Sequence, residues 1–446
     1  MLMKNVRKLS IPQSIILAYA AVISIGGFLL WLPFSSASGE WTSFVDAIFT
    51  ATSATAVTGQ VTLNTALHWN YFGKTVILLL IEIGGLGFMT IWVLLYSNVF
   101  KRRTNLKQRK AVAESLSLTG GVSVQDKVKQ ILRFSLTTQL IGAFLLSFSF
   151  IPDYGTGQGI YYSVFHSISA FCNAGFDLIG DSLISYQDNP YVLMIIAALV
   201  MTGGLGFIVW EDLFNFPKRR KLQVYTKVVL IMTVSLWVIG MFLIGFAESK
   251  NGTFDHLPVG KQWVNYLFLS VTPRTAGFAN IDHALLTDSS VFFTIILMFV
   301  GASSGSTGGG IKVTTLAVLF IVIYRSINHQ PFKVFNRAMS SETIQQAFFI
   351  FSAGLSLASV GTFILLLTET IPAAFGIEYV MFEVFSVLGT VGLSMGLTPS
   401  LTVIGKLVLM MLMLIGRVGV MTFLWSLAGE KKNIRINYPE TDLLVG

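Results

Sequence analysis

Four glycines, Gly59, Gly175, Gly277 and Gly392, each close a short semi-polar stretch, and they stand 116, 102 and 115 residues apart. Each is third in a tetrapeptide: Val57-Thr58-Gly59-Gln60, Asn173-Ala174-Gly175-Phe176, Thr275-Ala276-Gly277-Phe278 and Thr390-Val391-Gly392-Leu393. Glycine reaches positive φ without steric cost, so the carbonyls of an extended segment can be turned to one side. Rings of carbonyls arranged in this way replace the hydration shell of an alkali cation. The chemistry these residues offer is coordination by backbone oxygen.

Other chemistries find less support. The five histidines show no metal-ligand spacing, and the single cysteine, Cys172, excludes an internal disulfide and a cysteine metal cluster. Gly305 and Gly310 have the glycine spacing of a phosphate loop, but Ile311 intervenes before Lys312. No nucleophile–base set and no regularly spaced arginines of a voltage sensor are present, so an enzyme is not expected.

The elements that must position the glycines are membrane spans. Of 446 residues, 53% are hydrophobic and 12% charged, against roughly 25% charged in soluble domains. Apolar segments long enough to cross a bilayer run roughly 12–32, 75–99, 128–151, 191–214, 224–247, 291–324, 344–368 and 402–428. Within each pair lies a stretch too short to cross: 44–59, 160–175, 262–277 and 377–392. Aligned on the last glycine, these stretches agree internally, with Ser53, Ser169, Val271 and Ser386 six residues before it. Glycine returns downstream at Gly84, Gly203, Gly301 and Gly416, two of them opening the same Gly-Gly-Leu-Gly tetrapeptide. In Gly84, Gly85, Gly87, Gly203, Gly204 and Gly206 the small side is expected to let inner helices pack closely.

The unit is therefore helix, re-entrant half-helix, glycine loop, helix, written four times: residues 11–100, 127–215, 223–325 and 343–428, followed by a tail at 429–446. Two crossings per unit keep all four in one orientation. The expected fold is an all-α polytopic membrane protein, four pseudosymmetric repeats around a central pore. Backbone that is not helical survives at membrane depth only against protein or a water-filled path, which four loops meeting at one axis provide.

The net charge of +8 separates by loop. The clusters at Lys4–Lys8, Lys101–Lys110, Lys218–Lys221, Arg325–Arg337 and Lys431–Arg435 lie on one side with 23 basic and 8 acidic residues; the other side has 5 basic and 13 acidic. Short loops rich in Lys and Arg stay cytoplasmic, which places both termini inside. A basic chain also suggests nucleic acid, but this alternation with apolar spans assigns the charge to topology, and no nucleic-acid partner is expected. No cleavable signal is evident, and the first apolar segment reads as a retained helix.

The sixth span does not read as one helix. Gly301-Ala302-Ser303-Ser304-Gly305-Ser306-Thr307-Gly308-Gly309-Gly310 interrupts it, and five glycines in ten residues lose too much backbone entropy to stay helical. Arg417 stands near the middle of the last span, where a charge costs about 2.5–3.5 kcal/mol, so it must face the bundle or a water path. Glu82, in the outer part of its span, reads as a capped polar contact.

Leu388-Gly389-Thr390-Val391-Gly392 resembles the core of potassium-channel filters. The fourfold plan, the paired Gly-Gly-Leu-Gly elements and Arg274-Thr275-Ala276-Gly277-Phe278 resemble the Trk/Ktr/HKT superfamily over essentially the whole chain, closest to the membrane subunit of bacterial Ktr systems. The resemblance implies uptake of K⁺ across the bacterial plasma membrane through a filter formed by the four tetrapeptides. It makes residues 301–310 with Lys312 an intramembrane gating loop, and it places Arg417 below the filter as an electrostatic barrier to cations. It further implies a homodimer and a cytoplasmic ring of nucleotide-binding RCK-type regulatory subunits. No cofactor is expected on this chain beyond K⁺ as the transported ion, with dependence on Na⁺ left open. The basic loops would contact anionic membrane lipid, and the tail would reach a neighbouring subunit. Thr58, Ala174 and Ala276 replace the channel valine and no loop completes Gly-Tyr-Gly, which implies fewer well-formed sites than in a channel. A coupled symporter for K⁺ with Na⁺ or H⁺ is the alternative.

Overall fold

The computed structural model describes residues 10–87 and 124–428. The basic clusters at 4–8 and 101–110 and the tail at 429–446 lie outside the described residues.

Four long helices carry the lipid-facing surface: α1 (Ile11–Trp31), α4 (Val124–Tyr154), α8 (Val224–Asn251) and α12 (Ser341–Thr368). At 1.5 Å per residue each is long enough to cross a hydrocarbon core of about 30 Å. Two of the starts, at α1 and α12, carry serine caps, Ser10 and Ser340. Before α1, Ser10 and Gln13 form a reciprocal capping box with Pro12 in the first turn. Leu140, Phe144 and Phe148, four residues apart on α4, are all exposed, which in water would be costly and in lipid is the expected face.

After each long helix comes a short one whose surface is mostly buried: α2 (Phe44–Ala56), α5 (Thr156–Cys172), α9 (Val259–Val271) and α13 (Ile377–Leu388). Twelve to seventeen residues fall short of a span. Each ends in a turn and a return segment, and a second apolar helix follows: α3 (Tyr71–Leu86), α6 (Pro190–Leu205), α10 (Asp288–Phe299) and α14 (Val403–Val418).

These second helices stop earlier than the sequence leads one to expect. The segments 75–99, 191–214 and 402–428 read as continuous, yet the helices end at Leu86, Leu205 and Val418. The residues that follow, Gly87, Gly206 and Gly419, have φ of 81°, 87° and 96°, a region closed to residues with a Cβ. Beyond Gly206 the chain turns by 92° into α7 (Phe207–Arg219), and beyond Gly419 by 105° into α15 (Val420–Ala428). In the third unit the break is longer, and helix resumes as α11 (Val313–Ile327). A two-residue hairpin pairing Lys333 with Ala338 links α11 to α12. The second helices of the second, third and fourth units are thus interrupted, where the sequence leads one to expect a break in the third alone; residues 88–99 of the first unit's span lie outside the described residues.

Most of the core among the described residues lies in two apolar masses, with a smaller cluster at Leu205, Val209 and Val229. One is built mainly from the first half (Leu30, Phe165, Leu193) but takes in Phe268 and Phe278 of the third unit; the other is built mainly from the second half (Leu297, Phe382, Leu409) but takes in Phe49 and Ala56 of the first. The short helices therefore interlock the halves at the centre.

Candidate functional site

The four short helices end in the same backbone geometry. The residue two before each glycine is left-handed: Val57 at φ 56°, Asn173 at 60°, Thr275 at 72° and Thr390 at 51°. The glycines follow at φ 92°, 70°, 79° and 97°. Asparagine tolerates this region, but the β-branched Val57, Thr275 and Thr390 are strained there by about 1–3 kcal/mol each, and persist because the surroundings hold them. Positive φ at alternate residues turns neighbouring carbonyls the same way, the property inferred from glycine alone.

The middle residue of each turn is tied to its own helix: Thr58 N donates to Ser53 O and Ala174 N to Ser169 O at 2.8 Å, Ala276 N to Thr272 O at 3.0 Å, and Val391 N to Ser386 O at 2.8 Å. Side chains complete the hold. Ser53 and Ser386 hydroxyls accept from Gly59 N and Gly392 N at 3.1 and 3.0 Å. Ser169 and Thr272 hydroxyls donate instead to Phe176 O and Phe278 O at 2.8 and 2.6 Å. The recurring serine was visible in the sequence without its role. Thr272 was missed because the aligned position is Val271, and the hydroxyl has moved one residue along.

The turns close into a ring. A methyl placed on Gly59 would lie 2.4 Å from Ala174 O; on Gly175, 2.8 Å from Ala276 O; on Gly277, 2.1 Å from Val391 O; on Gly392, 2.0 Å from Thr58 O. Each glycine thus abuts the carbonyl preceding the next unit's glycine, and the fourth returns to the first. The residues after the glycines, Gln60, Phe176, Phe278 and Leu393, are all buried. The short helices point their C-terminal, partially negative ends toward this ring, an arrangement that favours a cation.

The segment 300–312 packs beneath the ring. It leaves α10 through a bridge of Val300 with Ile311, where Gly301 N donates to Ile311 O at 2.9 Å. Ser303 N and Thr307 N donate to Gly204 O and Gly203 O at 3.2 and 3.3 Å, and Gly310 N to Gly416 O at 3.3 Å. Thr307 Oγ1 donates to Phe171 O at 3.1 Å, and Ser306 Oγ to Ser303 O at 2.6 Å. Gly308 and Gly309 lie against the turns themselves, where a methyl would fall 2.2 Å from Thr275 Oγ1 and 2.3 Å from Thr390 Oγ1. Its far edge meets the bend of α6 and α7: Phe207 N donates to Gly305 O at 3.0 Å, and Tyr225 of α8 donates to Ser304 O at 2.8 Å.

Cationic side chains hold this segment. Lys312 donates back to Gly308 O and Gly309 O at 2.9 and 3.3 Å. Arg417 donates to Thr307 O, to Gly84 O and, at 3.1 Å, to Gly85 O. Arg417 lies one residue before the end of α14 rather than mid-span, because the helix turns at Gly419. Glu82 is likewise deeper than expected, since α3 ends at Leu86; it accepts from Gln139 at 2.9 Å and from the Cys172 thiol at 3.4 Å.

The Gly-Gly-Leu-Gly elements do more than allow close packing. Gly84 and Gly203 press on Thr55 O and Phe171 O, as Gly416 of the fourth repeat does on Leu388 O, each carbonyl at the end of its own short helix. The carbonyls of Gly84, Gly85, Gly203 and Gly204 bind Arg417 and the 300–312 segment, while Gly206 makes a bend. Arg274 also went unassigned: it is buried, and it donates to Gly301 O at 3.2 Å and to Thr233 O at 3.4 Å.

Long apolar helices around a closed ring of turns define a class, the polytopic helical membrane proteins. Within it, residues 7–432 match the TrkH family of cation transport proteins. The chain is 45% identical to the potassium/sodium uptake protein NtpJ of Enterococcus hirae over 99% of both chains. It is 40% identical to the Ktr system potassium uptake protein B of Bacillus subtilis, covering 98% of this chain and 96% of that one. The potassium transporter TrkH of Vibrio parahaemolyticus shares the fold, with a TM-score of 0.73 at 18% identity over 95% of this chain and 86% of that one. The chain belongs to the TrkH cation transport family, in the Trk/Ktr superfamily, and is a transporter rather than an enzyme.

Proposed function

We propose that the chain takes up potassium ions across the bacterial plasma membrane, passing them through the ring formed by residues 57–60, 173–176, 275–278 and 390–393. The observation that carries this reading is the cyclic contact of each glycine with the next unit's carbonyl, Gly392 returning to Thr58. Oxygens fixed in such a ring can stand in for the water of a dehydrated cation. The printed names of the relatives support potassium as the substrate. Segment 301–310, with Lys312 and Arg417, is the gate: it lies under the ring on a neighbouring helix's carbonyls, where a conducting path needs open space. The four repeats at 11–100, 127–215, 223–325 and 343–428 supply the frame. Both termini face the cytoplasm, where a nucleotide-binding RCK-type ring would engage a homodimer of this chain. Relatives named as components of a Ktr system support a partner subunit.

The test is ion flux in proteoliposomes under K⁺ or Na⁺ gradients, comparing the wild type with Gly59→Ser and Gly392→Ser. The added side chains meet Ala174 O and Thr58 O, so K⁺ preference should fall at least tenfold. A preference unmoved by both changes would overturn the filter.

One observation favours a second reading, coupled entry with Na⁺ or H⁺. Glu82 places a carboxylate inside the bundle, and its Oε1 has no hydrogen-bond partner among the described residues; intramembrane carboxylates often mark coupling-ion sites. Loss of a Na⁺- or H⁺-dependence of K⁺ flux in Glu82→Gln would support it; K⁺ flux indifferent to both gradients would exclude it.

A further inference from the structure

Glu383 is fully buried in α13, and no Lys or Arg among the described residues pairs with it. A carboxylate buried without a counter-charge costs several kcal/mol unless its lone pairs are filled. Here five donors fill them. Oε1 accepts from Ser394 Oγ at 2.5 Å, Met395 N at 3.2 Å and Leu397 N at 3.3 Å; Oε2 accepts from Thr398 Oγ1 at 2.8 Å and from Gln60 Nε2. Four of these donors lie in the segment that follows Leu393. The fifth belongs to the first repeat.

Gln60 and Leu393 hold the same place in neighbouring strands of the ring, directly after Gly59 and Gly392. Gln60 Nε2 also donates to Leu393 O at 3.4 Å, so the three residues form one bridge. A carboxylate only accepts, and it therefore fixes which end of the Gln60 amide faces it. The amide oxygen is left buried with no partner among the described residues.

The position recurs. Nine residues before the other three glycines stand Thr50, His166 and Phe268. His166 Nε2 accepts from Leu178 N at 3.3 Å while Nδ1 meets Tyr162 O at 2.8 Å. Leu178 and Met395 are both third after their glycine, so in the second and fourth repeats this residue holds the backbone beyond the ring. His166 touches its neighbouring strand only through its ring, against Phe278, whereas Glu383 alone of the four hydrogen-bonds to the neighbouring strand, through Gln60. It does so at the junction of the fourth and first repeats, the one junction between adjacent repeats that the chain does not cross covalently.

We propose that Glu383 is a positioning residue that sets the spacing of the fourth and first strands through Gln60, and with it the choice among alkali cations. This rests on the filter reading above. Whether selectivity comes from fit or from carbonyl field strength, strands free to approach one another accommodate the smaller ion.

The test uses the full chain in proteoliposomes, with K⁺ and Na⁺ flux measured for wild type, Glu383→Ala, Gln60→Leu and the double variant. The K⁺ over Na⁺ ratio should fall about tenfold in each single variant and no further in the double, the signature of one shared interaction. Glu383→Gln, which keeps the size and some acceptors, should restore part of it. A wild-type ratio in Gln60→Leu with flux intact overturns the proposal, including the case where Glu383→Ala lowers the ratio by itself. Should Glu383→Ala fail to fold, Gln60→Leu decides. A wild type indifferent to K⁺ and Na⁺ would instead overturn the filter reading and this proposal with it.

Discussion

The backbone N–H of Gly309 donates to Thr390 Oγ1 across 3.0 Å, joining the glycine-rich segment directly to the inner end of the fourth turn. Gate and filter, in the proposed reading, share this bond. A hydrogen bond of this kind contributes about 1 kcal/mol net, roughly fivefold in an equilibrium. Thr390→Val keeps the β-branch but loses the acceptor, and resting K⁺ flux should rise about fivefold; Thr390→Ser should restore it. Equal resting flux in all three proteins would show that the bond does not hold the gate.

Arg417 clamps three carbonyls from two other repeats, Thr307 O, Gly84 O and Gly85 O. Only a guanidinium offers donors in a fork that spans them. Arg417→Ala should raise K⁺ flux in cells or vesicles and blunt its regulation. Arg417→Lys, which keeps the charge but not the fork, should fall between. If the lysine variant matches wild type, charge alone is the barrier and the clamp is incidental.

Gly206 makes the α6–α7 bend at φ 87°, and a methyl there would sit 2.6 Å from Ser303 Oγ. At φ 87° and ψ 149° only glycine sits without strain, and a residue with Cβ loses about 1–3 kcal/mol before the clash is counted. Gly206→Ala should lower the unfolding midpoint and loosen regulation while leaving the K⁺ over Na⁺ ratio alone, because the ring is built from other residues. A changed ratio would show that bend and ring are coupled.

His283 lies outside the spanning helices, in the turn His283–Leu285, and burial pushes its imidazole down to about 4 against the weaker upward pull of Asp282 and Ile281 O. Unfolded histidine titrates near 6.5. Between these values the unfolded chain binds more protons, so stability should rise with pH over that window and level off above it. His283→Gln should remove this part of the slope in thermal unfolding of the detergent-solubilised protein. An unchanged slope would mean that the imidazole reaches solvent.

Much of the plan was legible in the sequence because repetition leaves a trace that periodicity alone does not. The four glycines, the serine six residues earlier in three repeats and the glycine-rich break all fall where the described structure puts a turn, its hydroxyl brace and a non-helical segment. The second helices were harder. Gly206 reads as a close-packing glycine, and nothing in an apolar run distinguishes a glycine that packs from one that turns the chain. Only its φ does, and φ is set by what the following helix meets.

The apolar spans, the fourfold unit and the alternation of charge follow from the amino-acid order, because hydrophobic length and loop charge act locally on each segment. Which carbonyl faces which glycine, that Arg417 reaches back to Gly84, and that Glu383 grips Gln60 were decided only by the tertiary structure. Arg417 and Gly84, and Glu383 and Gln60, are 333 and 323 residues apart in the chain, and the closure of the last repeat on the first brings them within a hydrogen bond.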